Sequence, residues 1–222
     1  MDLRSAKALS LDLDDTLWGF DAAVSRAEVA LHQWLLKSAP STRDVLTSSA
    51  SLGHFRKKIA ISRLDLAHDP ALLRRASIRE ILRIAGENPD LCDEAYDVFY
   101  AERQRVVLFD DVLPALDWLS ARYPIAAITN GNSDLNIIGL KHFFQVTIAA
   151  KEAGVAKPEP AIFHAAARAL DVTPNQILHI GDDWQLDVEG AHLAGLQTAW
   201  LKREGGRSVV VGRQNQMSRL LQ

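Results

Sequence analysis

From Lys7 to Leu13 the chain alternates, with Leu9, Leu11 and Leu13 on one face and Ala8, Ser10 and Asp12 on the other. This period of two predicts a strand, and by parity Asp14 continues the face of Asp12. Residues 22–36 change to helical spacing, with Val24, Ala27, Leu31 and Trp34 on one side. Further helices are predicted at 52–64, 71–85 and 91–107, the second of these stopping at Gly86 and the last marked by Leu91, Ala95 and Val98. No strand pattern occurs between Gly19 and Arg105.

Past that block the texture changes to an alternation of strand and helix. Val112, Leu116 and Leu119 mark a helix, and PIAAIT (124–129) and QVTIAA (145–150) read as short buried strands. A helix from Glu159 to Leu170 opens with Pro158 and Pro160, where a first turn tolerates proline. QILHI (176–180) is a strand, 184–194 a helix stopped by Gly195, and QTAWL (197–201) the last clear strand. The pattern assigns nothing to 202–222. Strands alternating with helices predict an α/β fold, a Rossmann-like parallel sheet covered on both faces. The helical block interrupts it, so residues 1–18 and 106–222 are expected to form the core and 19–105 an inserted α-helical cap.

Composition narrows the class. Of 222 residues 48% are apolar and 24% charged, enough for a buried core, and no stretch is apolar enough to span a membrane. The N-terminal MDLRSAKALSLDLDD lacks a signal-like apolar run, and the one cysteine, Cys92, fits a reducing compartment; both point to the cytoplasm. A net charge of −3 argues against nucleic acid as a partner. Residues 19–105 hold 13 Lys+Arg against 12 Asp+Glu while the flanks hold 12 against 16, so the acid lies in the expected core.

In open α/β sheets ligands bind beyond the carboxyl ends of the strands, where residues distant in sequence meet. Three predicted strands end in polar groups: Asp12 to Thr16, Thr129-Asn130-Gly131-Asn132, and Gly181-Asp182-Asp183 with Asp187 one turn on. Lys157, directly before a helix, can reach the same edge. Converging carboxylates repel each other unless a cation joins them. Magnesium suits the task, being hard, oxygen-seeking and content with one or two carboxylates plus a substrate phosphate. A carboxylate beside it can attack phosphorus, and a second can move the proton of the leaving alcohol; Asp12 and Asp14 suit these roles by position.

The DLDDT stretch, the strand ending at Thr129, the Lys157-Pro158 pair and GDD with Asp187 together resemble the four ordered motifs of the haloacid dehalogenase-like (HAD) hydrolase superfamily. The resemblance covers residues 7–18 and 106–201. It implies Asp12 as nucleophile and Asp14 as acid/base, with the Asp14 carbonyl and Asp182 also on magnesium. It implies Thr129 and Asn130 on the phosphoryl oxygens and Lys157 stabilising charge, with Thr16 supporting. Of Asp183 and Asp187, one ligates through water or orients Lys157, and the other supports the loop. The helical insert resembles the type-one cap of the superfamily. ITNGN followed by IIGLKHFF, and LHIGDD with AGLQTAWL, are similar to the branch that hydrolyses FMN and 5-amino-6-(5-phospho-D-ribitylamino)uracil.

Weighed singly, each acid reads equally as a helix cap or a solvated loop residue, and Lys157 as a surface lysine; the set together favours function. Trp18 and Trp184 flank the expected site and read as core residues ahead of ring-stacking ones, His179 reads as packing inside its strand, and Arg56-Lys57-Lys58 and Arg74-Arg75 as solvated helix faces ahead of an anion guide. The expectation is a magnesium-dependent phosphatase of a small phosphorylated metabolite, monomeric or homodimeric. Its rivals are a phosphomutase or haloacid dehalogenase on the same fold, and a non-catalytic partner-binding module.

Overall fold

The computed structural model describes residues 6–66, 69–204 and 207–212. They divide into two compact units, residues 1–19 with 108–222 and residues 20–107.

The first unit is built on a sheet. Strand β1 (Ala8–Leu11) is buried on both faces, as a central parallel strand must be. After the second unit come α5 (Val112–Ser120), β2 (Ile125–Thr129), the single turn α6 (Leu135–Ile138) and β3 (Val146–Ala149). Then follow α7 (Ala150–Ala153), α8 (Pro160–Ala169), β4 (Ile177–Gly181), α9 (Gly190–Leu193), β5 (Gln197–Glu204) and β6 (Arg207–Gly212). The sheet order is β3-β2-β1-β4-β5-β6, the first five parallel and β6 antiparallel to β5. The α/β expectation holds. β1 lies between β2 and β4, so the chain winds first to one side and then to the other, and a crevice opens where the direction reverses.

Register fixes what stands at that crevice. Leu9 faces Ile125 and Leu11 faces Ala127 on β2, while Ser10 pairs with His179 on β4. One apolar layer combines Ala8, Ile128, Ile177 and Ala191 with Ile162, Phe163 and Ala166 of α8. Ser10 and His179 are buried polar residues of the same strands.

β5 runs three residues past the predicted strand, and β6 adds an edge in the stretch to which the sequence pattern assigned nothing. The antiparallel register runs from Ala199 opposite Gly212 to Glu204 opposite Arg207.

The first unit also contains the neck of the insertion. Trp18 and Leu108 form an antiparallel bridge, and the Phe109 N–H donates to Leu17 O at 3.0 Å. Arg203 fastens the neck: it donates to Thr16 O at 2.5 Å, pairs with Asp111 at 2.5 Å and lies over the Phe109 ring.

The second unit is helical: α1 (Phe20–Ser38), α2 (Ala50–Ser62), α3 (Pro70–Ile84) and α4 (Cys92–Arg103), and its described residues include no strand. Leu31, Leu35, Ile78, Ile81, Leu82 and Phe99 fill its core at helical spacing. Asp69 caps α3, accepting from the N–H groups of Ala71 and Leu72, with Pro70 preset for the first turn. Arg74 is not solvated, contrary to expectation. It is buried, 3.0 Å from Glu28 and stacked over Phe99 at 4.1 Å, and burial brings its pKa down to about 10. Arg75 lies over Tyr96 and pairs with Asp93. Among the described residues no helix is long and apolar enough to cross a membrane.

Candidate active site

The end of β1 turns sharply. Asp12 still donates its N–H to Ile180 O at 2.9 Å, then Asp15 adopts φ 57°, a left-handed conformation that aspartate tolerates better than most residues. Two bonds close the turn, Asp15 N to Trp18 O and Leu17 N to Leu13 O, both 2.7 Å. Trp18, fully buried as expected of a core residue, donates its indole N–H to Asp14 Oδ1 at 2.8 Å. The Thr16 hydroxyl donates to Asp182 Oδ1 at 3.0 Å, tying the turn after β1 to the loop after β4.

Lys157 occupies the centre. Its ammonium donates to Asp12 Oδ1 at 2.5 Å and Asp187 Oδ1 at 2.6 Å, and the three side chains are buried together. The Asn130 amide fixes the Lys157 main chain in both directions, accepting from Lys157 N at 2.8 Å and donating to Lys157 O at 3.0 Å. The amide is thereby committed to the lysine loop, so the phosphoryl contact that the resemblance implies for Asn130 would fall to its main-chain N–H. Thr129 accepts from Gly131 N at 2.9 Å, so its hydroxyl proton is the one to donate.

The single helix expected over 184–194 is divided. Residues Trp184–Glu189 wind wide, with Asp183 O accepting from both Asp187 N and Val188 N, and α9 follows. The wide turn brings Asp187 down onto the end of β4. Its Oδ2 accepts from Asp183 N at 3.1 Å, and its carboxylate lies directly over Gly181. Gly190 is needed for a second close approach, since a Cβ there would meet Pro158 Cβ at 2.7 Å.

The two acids left unresolved by sequence are thereby separated. Asp187 accepts from the Lys157 ammonium at 2.6 Å. Asp183 caps the winding, its Oδ1 accepting from Gln185 N and Leu186 N at 2.8 Å each. Trp184 meets Trp200 edge to face at 5.1 Å, and Trp200 donates to Asp182 O at 2.8 Å.

Oxygens of Asp12, Asp182 and Asp187 lie within 4.8 Å of one another. With one ammonium among three carboxylates, two negative charges are uncompensated, and the acids record it. Burial raises Asp12 above the ordinary carboxylate range, with Asp187 and Asp182 adding to the effect against Lys157. Burial and the charge of Asp187 push Asp182 up to about 6. Asp187 goes the other way: burial opposes its ionisation, but Lys157 and His179 outweigh it and lower its pKa. Burial likewise weighs against the Lys157 charge, and its two aspartate partners outweigh that and raise its pKa.

An oxygen-seeking divalent cation fits this donor set. Both oxygens of Asp187 are engaged, Oδ1 by Lys157 and His179 and Oδ2 by Asp183 N, so Asp12 and Asp182 are the carboxylates that would hold it. The Asp14 carboxylate is on Trp18, which assigns any metal role of that residue to its main-chain carbonyl, as the resemblance implies.

Asp12, Lys157, Asp182, Asp187 and Thr16 therefore converge, with Thr129 and Asn130 at the end of β2. His179 and Ser10 were missed. His179 Nε2 lies 3.1 Å from Asp187 Oδ1, and its Nδ1 lies 2.8 Å from Ser10 Oγ. The available signal was the alternation itself, which placed Ser10 on the Asp12 face and two positions away from it.

A model of the haloacid dehalogenase-like hydrolase family matches residues 6–195. The 5-amino-6-(5-phospho-D-ribitylamino)uracil phosphatase YigB of Escherichia coli is 30% identical, over 92% of this chain and 87% of its own length. A phosphoserine phosphatase of Thermus thermophilus is 31% identical, over 89% of each chain. Among solved structures, a 2-haloacid dehalogenase from Pseudomonas syringae superposes with a TM-score of 0.82 at 31% identity, covering 97% of this chain and 98% of its own.

Proposed function

Because the chain belongs to the haloacid dehalogenase-like hydrolase family, we propose that it is a magnesium-dependent phosphatase of a small phosphorylated metabolite, working through an aspartyl-phosphate at Asp12. The observation that carries the reading is Lys157 lodged between Asp12 and Asp187 beside Asp182. A buried nucleophilic carboxylate, a fixed ammonium and a second uncompensated acid are what a dianionic phosphate plus a divalent cation require.

In this reading an Asp12 oxygen attacks phosphorus while the bond to the ester oxygen breaks, and Asp14 protonates the departing alcohol. Asp14 then takes a proton from water, which attacks the phosphorus of the acyl phosphate, so that orthophosphate leaves and Asp12 is restored. Lys157 holds Asp12 and faces the charge that grows on the phosphoryl oxygens; Thr129 donates to one of them. A magnesium ion held by Asp12, the Asp14 carbonyl and Asp182 would supply positive charge against both the phosphate and the carboxylates.

The helical unit, residues 20–107, takes the role of the cap that selects the substrate. The first relative supports 5-amino-6-(5-phospho-D-ribitylamino)uracil as a substrate, the sequence resemblance adds FMN, and the second relative adds phosphoserine. A cytoplasmic enzyme, monomeric or homodimeric, belongs to the same reading; its one cysteine, Cys92, is buried and unbridged.

The dehalogenase relative favours a second reading, carbon–halogen displacement by Asp12. That chemistry needs neither a proton donor at Asp14 nor a cation at Asp182, so the acid cluster weighs for phosphate. The test is orthophosphate release from those three substrates, with magnesium or chelator, beside chloride release from 2-chloropropionate, using Asp12→Asn as control. Magnesium-dependent phosphate release lost in the variant supports the phosphatase; chloride release with chelator present and no phosphate would overturn it.

A further inference from the structure

The phosphatase reading uses Asp12, Asp14, Lys157, Asp182 and Thr129. It leaves unexplained why two buried polar residues of the sheet, Ser10 and His179, are hydrogen-bonded to each other, and His179 in turn to Asp187. Their strands are register partners, Ser10 on β1 opposite His179 on β4. Both are buried to within 1%. Phe163 meets the imidazole edge to face at 5.2 Å and 81°.

The chemistry of the partners fixes the direction of every bond. Asp187 Oδ1, engaged by Lys157, can only accept, so His179 Nε2 carries the proton and donates to it. Burial disfavours a charged ring and lowers the His179 pKa, so the imidazole is neutral and Nδ1 presents a lone pair. The Ser10 hydroxyl is then the donor to Nδ1. One line of hydrogen bonds runs from Ser10 through His179 and Asp187 to Lys157 and Asp12.

We infer that His179, held in one tautomer by Ser10, is a positioning residue for Lys157, acting through Asp187. The shared oxygen is the point of control. Lys157 is contested between two carboxylates at 2.5 and 2.6 Å, and a donor on the Asp187 side draws negative charge away from Lys157. That leaves the ammonium available to Asp12 and to the charge arriving on the phosphoryl group. A histidine that merely filled space would leave one nitrogen against apolar atoms. Here both nitrogens meet polar partners from different elements, Ser10 on β1 and Asp187 on the winding after β4.

The inference rests on the phosphatase reading, and two readouts keep them apart. The first is kinetic. Leucine at the position, His179→Leu, keeps volume and loses the donor, whereas His179→Gln can return an N–H to Asp187. The expectation is a fall in kcat of about tenfold or more in His179→Leu with KM within about twofold, and recovery of most of that loss in His179→Gln. Ser10→Ala removes one oxygen and tests the line if the leucine variant does not fold; its expected loss in kcat is about threefold at unchanged KM.

Equal kcat in His179→Leu and wild type, or equal loss in the leucine and glutamine variants, would reduce His179 to packing and overturn the inference. Unchanged kcat in Ser10→Ala would overturn the part assigned to Ser10. The second readout needs no turnover: 15N spectra of histidine-labelled protein, with the His179 signals assigned by their loss in His179→Gln. Protonated Nε2 with Nδ1 as acceptor supports the line, and the opposite tautomer sinks it. Absence of phosphate release from wild type would remove the phosphatase reading while the tautomer still judged the line of bonds.

Discussion

The Asp187 carboxylate lies so close over Gly181 that a Cβ added to the glycine would sit 2.3 Å from Asp187 Cγ. The glycine of the GDD stretch is thus a clearance for the acid six residues later. Gly181→Ala should expel Asp187 from its seat and release Lys157 from one partner. The expected cost is about 1–3 kcal/mol of stability from overpacking, together with severe loss of turnover. Denaturant titration beside phosphate release checks it; full activity would show that Asp187 has another seat.

Lys157→Met leaves two buried carboxylates without their shared cation. Breaking a buried pair by removing one partner costs about 3–5 kcal/mol, and activity should fall at least about a hundredfold. Magnesium should return part of the stability, because it restores positive charge to the cluster, but not the activity. Thermal melts with and without the ion separate the two effects.

The acids also give the protein without metal an unusual pH dependence. Asp182 has its folded pKa at about 6, against an ordinary value of 3.8. Between those two values the folded state binds more protons than the unfolded one, so the contribution of Asp182 to stability diminishes as pH rises through that window and is level above it. Magnesium, which needs the ionised carboxylate, should stabilise more as pH rises through the same window. Melting temperatures across pH 4 to 7, with the ion and with chelator, test both slopes; parallel curves would contradict the assignment of Asp182 to the metal.

Asp182→Asn follows from the same imbalance. Replacing an acid whose ionisation is disfavoured should raise the stability of the metal-free protein and abolish its stabilisation by magnesium. Turnover should fall by at least about a hundredfold. A variant less stable without metal, and still stabilised by it, would place the ion elsewhere.

The helical unit offers a control away from the chemistry. Asp69→Ala removes the acceptor for Ala71 N and Leu72 N at the start of α3 and should cost about 1 kcal/mol. Calorimetry reads the loss. With phosphate release per folded molecule unchanged, it serves as a measure of stability effects alone.

What the sequence made legible was whatever local periodicity encodes. The alternation over 7–13, the apolar run 124–129 and the helical spacings of residues 22–107 all became the expected elements within a few residues. What stayed hidden depended on geometry across the sheet. Asp183 and Asp187 have equal standing along the chain; the wide winding after Asp183 gives one a capping role and the other the lysine. Asn130 reads as a site residue because it ends a strand, yet its amide is spent on a loop 27 residues away. His179 looked like filling because only the register of β1 against β4 sets it opposite Ser10. Arg74 sits in a basic run that reads as solvated, and only packing reveals Glu28 and Phe99 beside it.

The antiparallel bridge between Trp18 and Leu108 brings together the chain's exit from the first unit and its return to it. A polypeptide that departs and returns through neighbouring antiparallel residues, about 4.5–5.5 Å apart, asks of whatever it carries only that its ends meet. The catalytic machinery sits on the near side of that joint, with Arg203 as its rivet. Among the described residues no strand of the sheet lies on the far side, so a change of length there leaves every strand pairing in place.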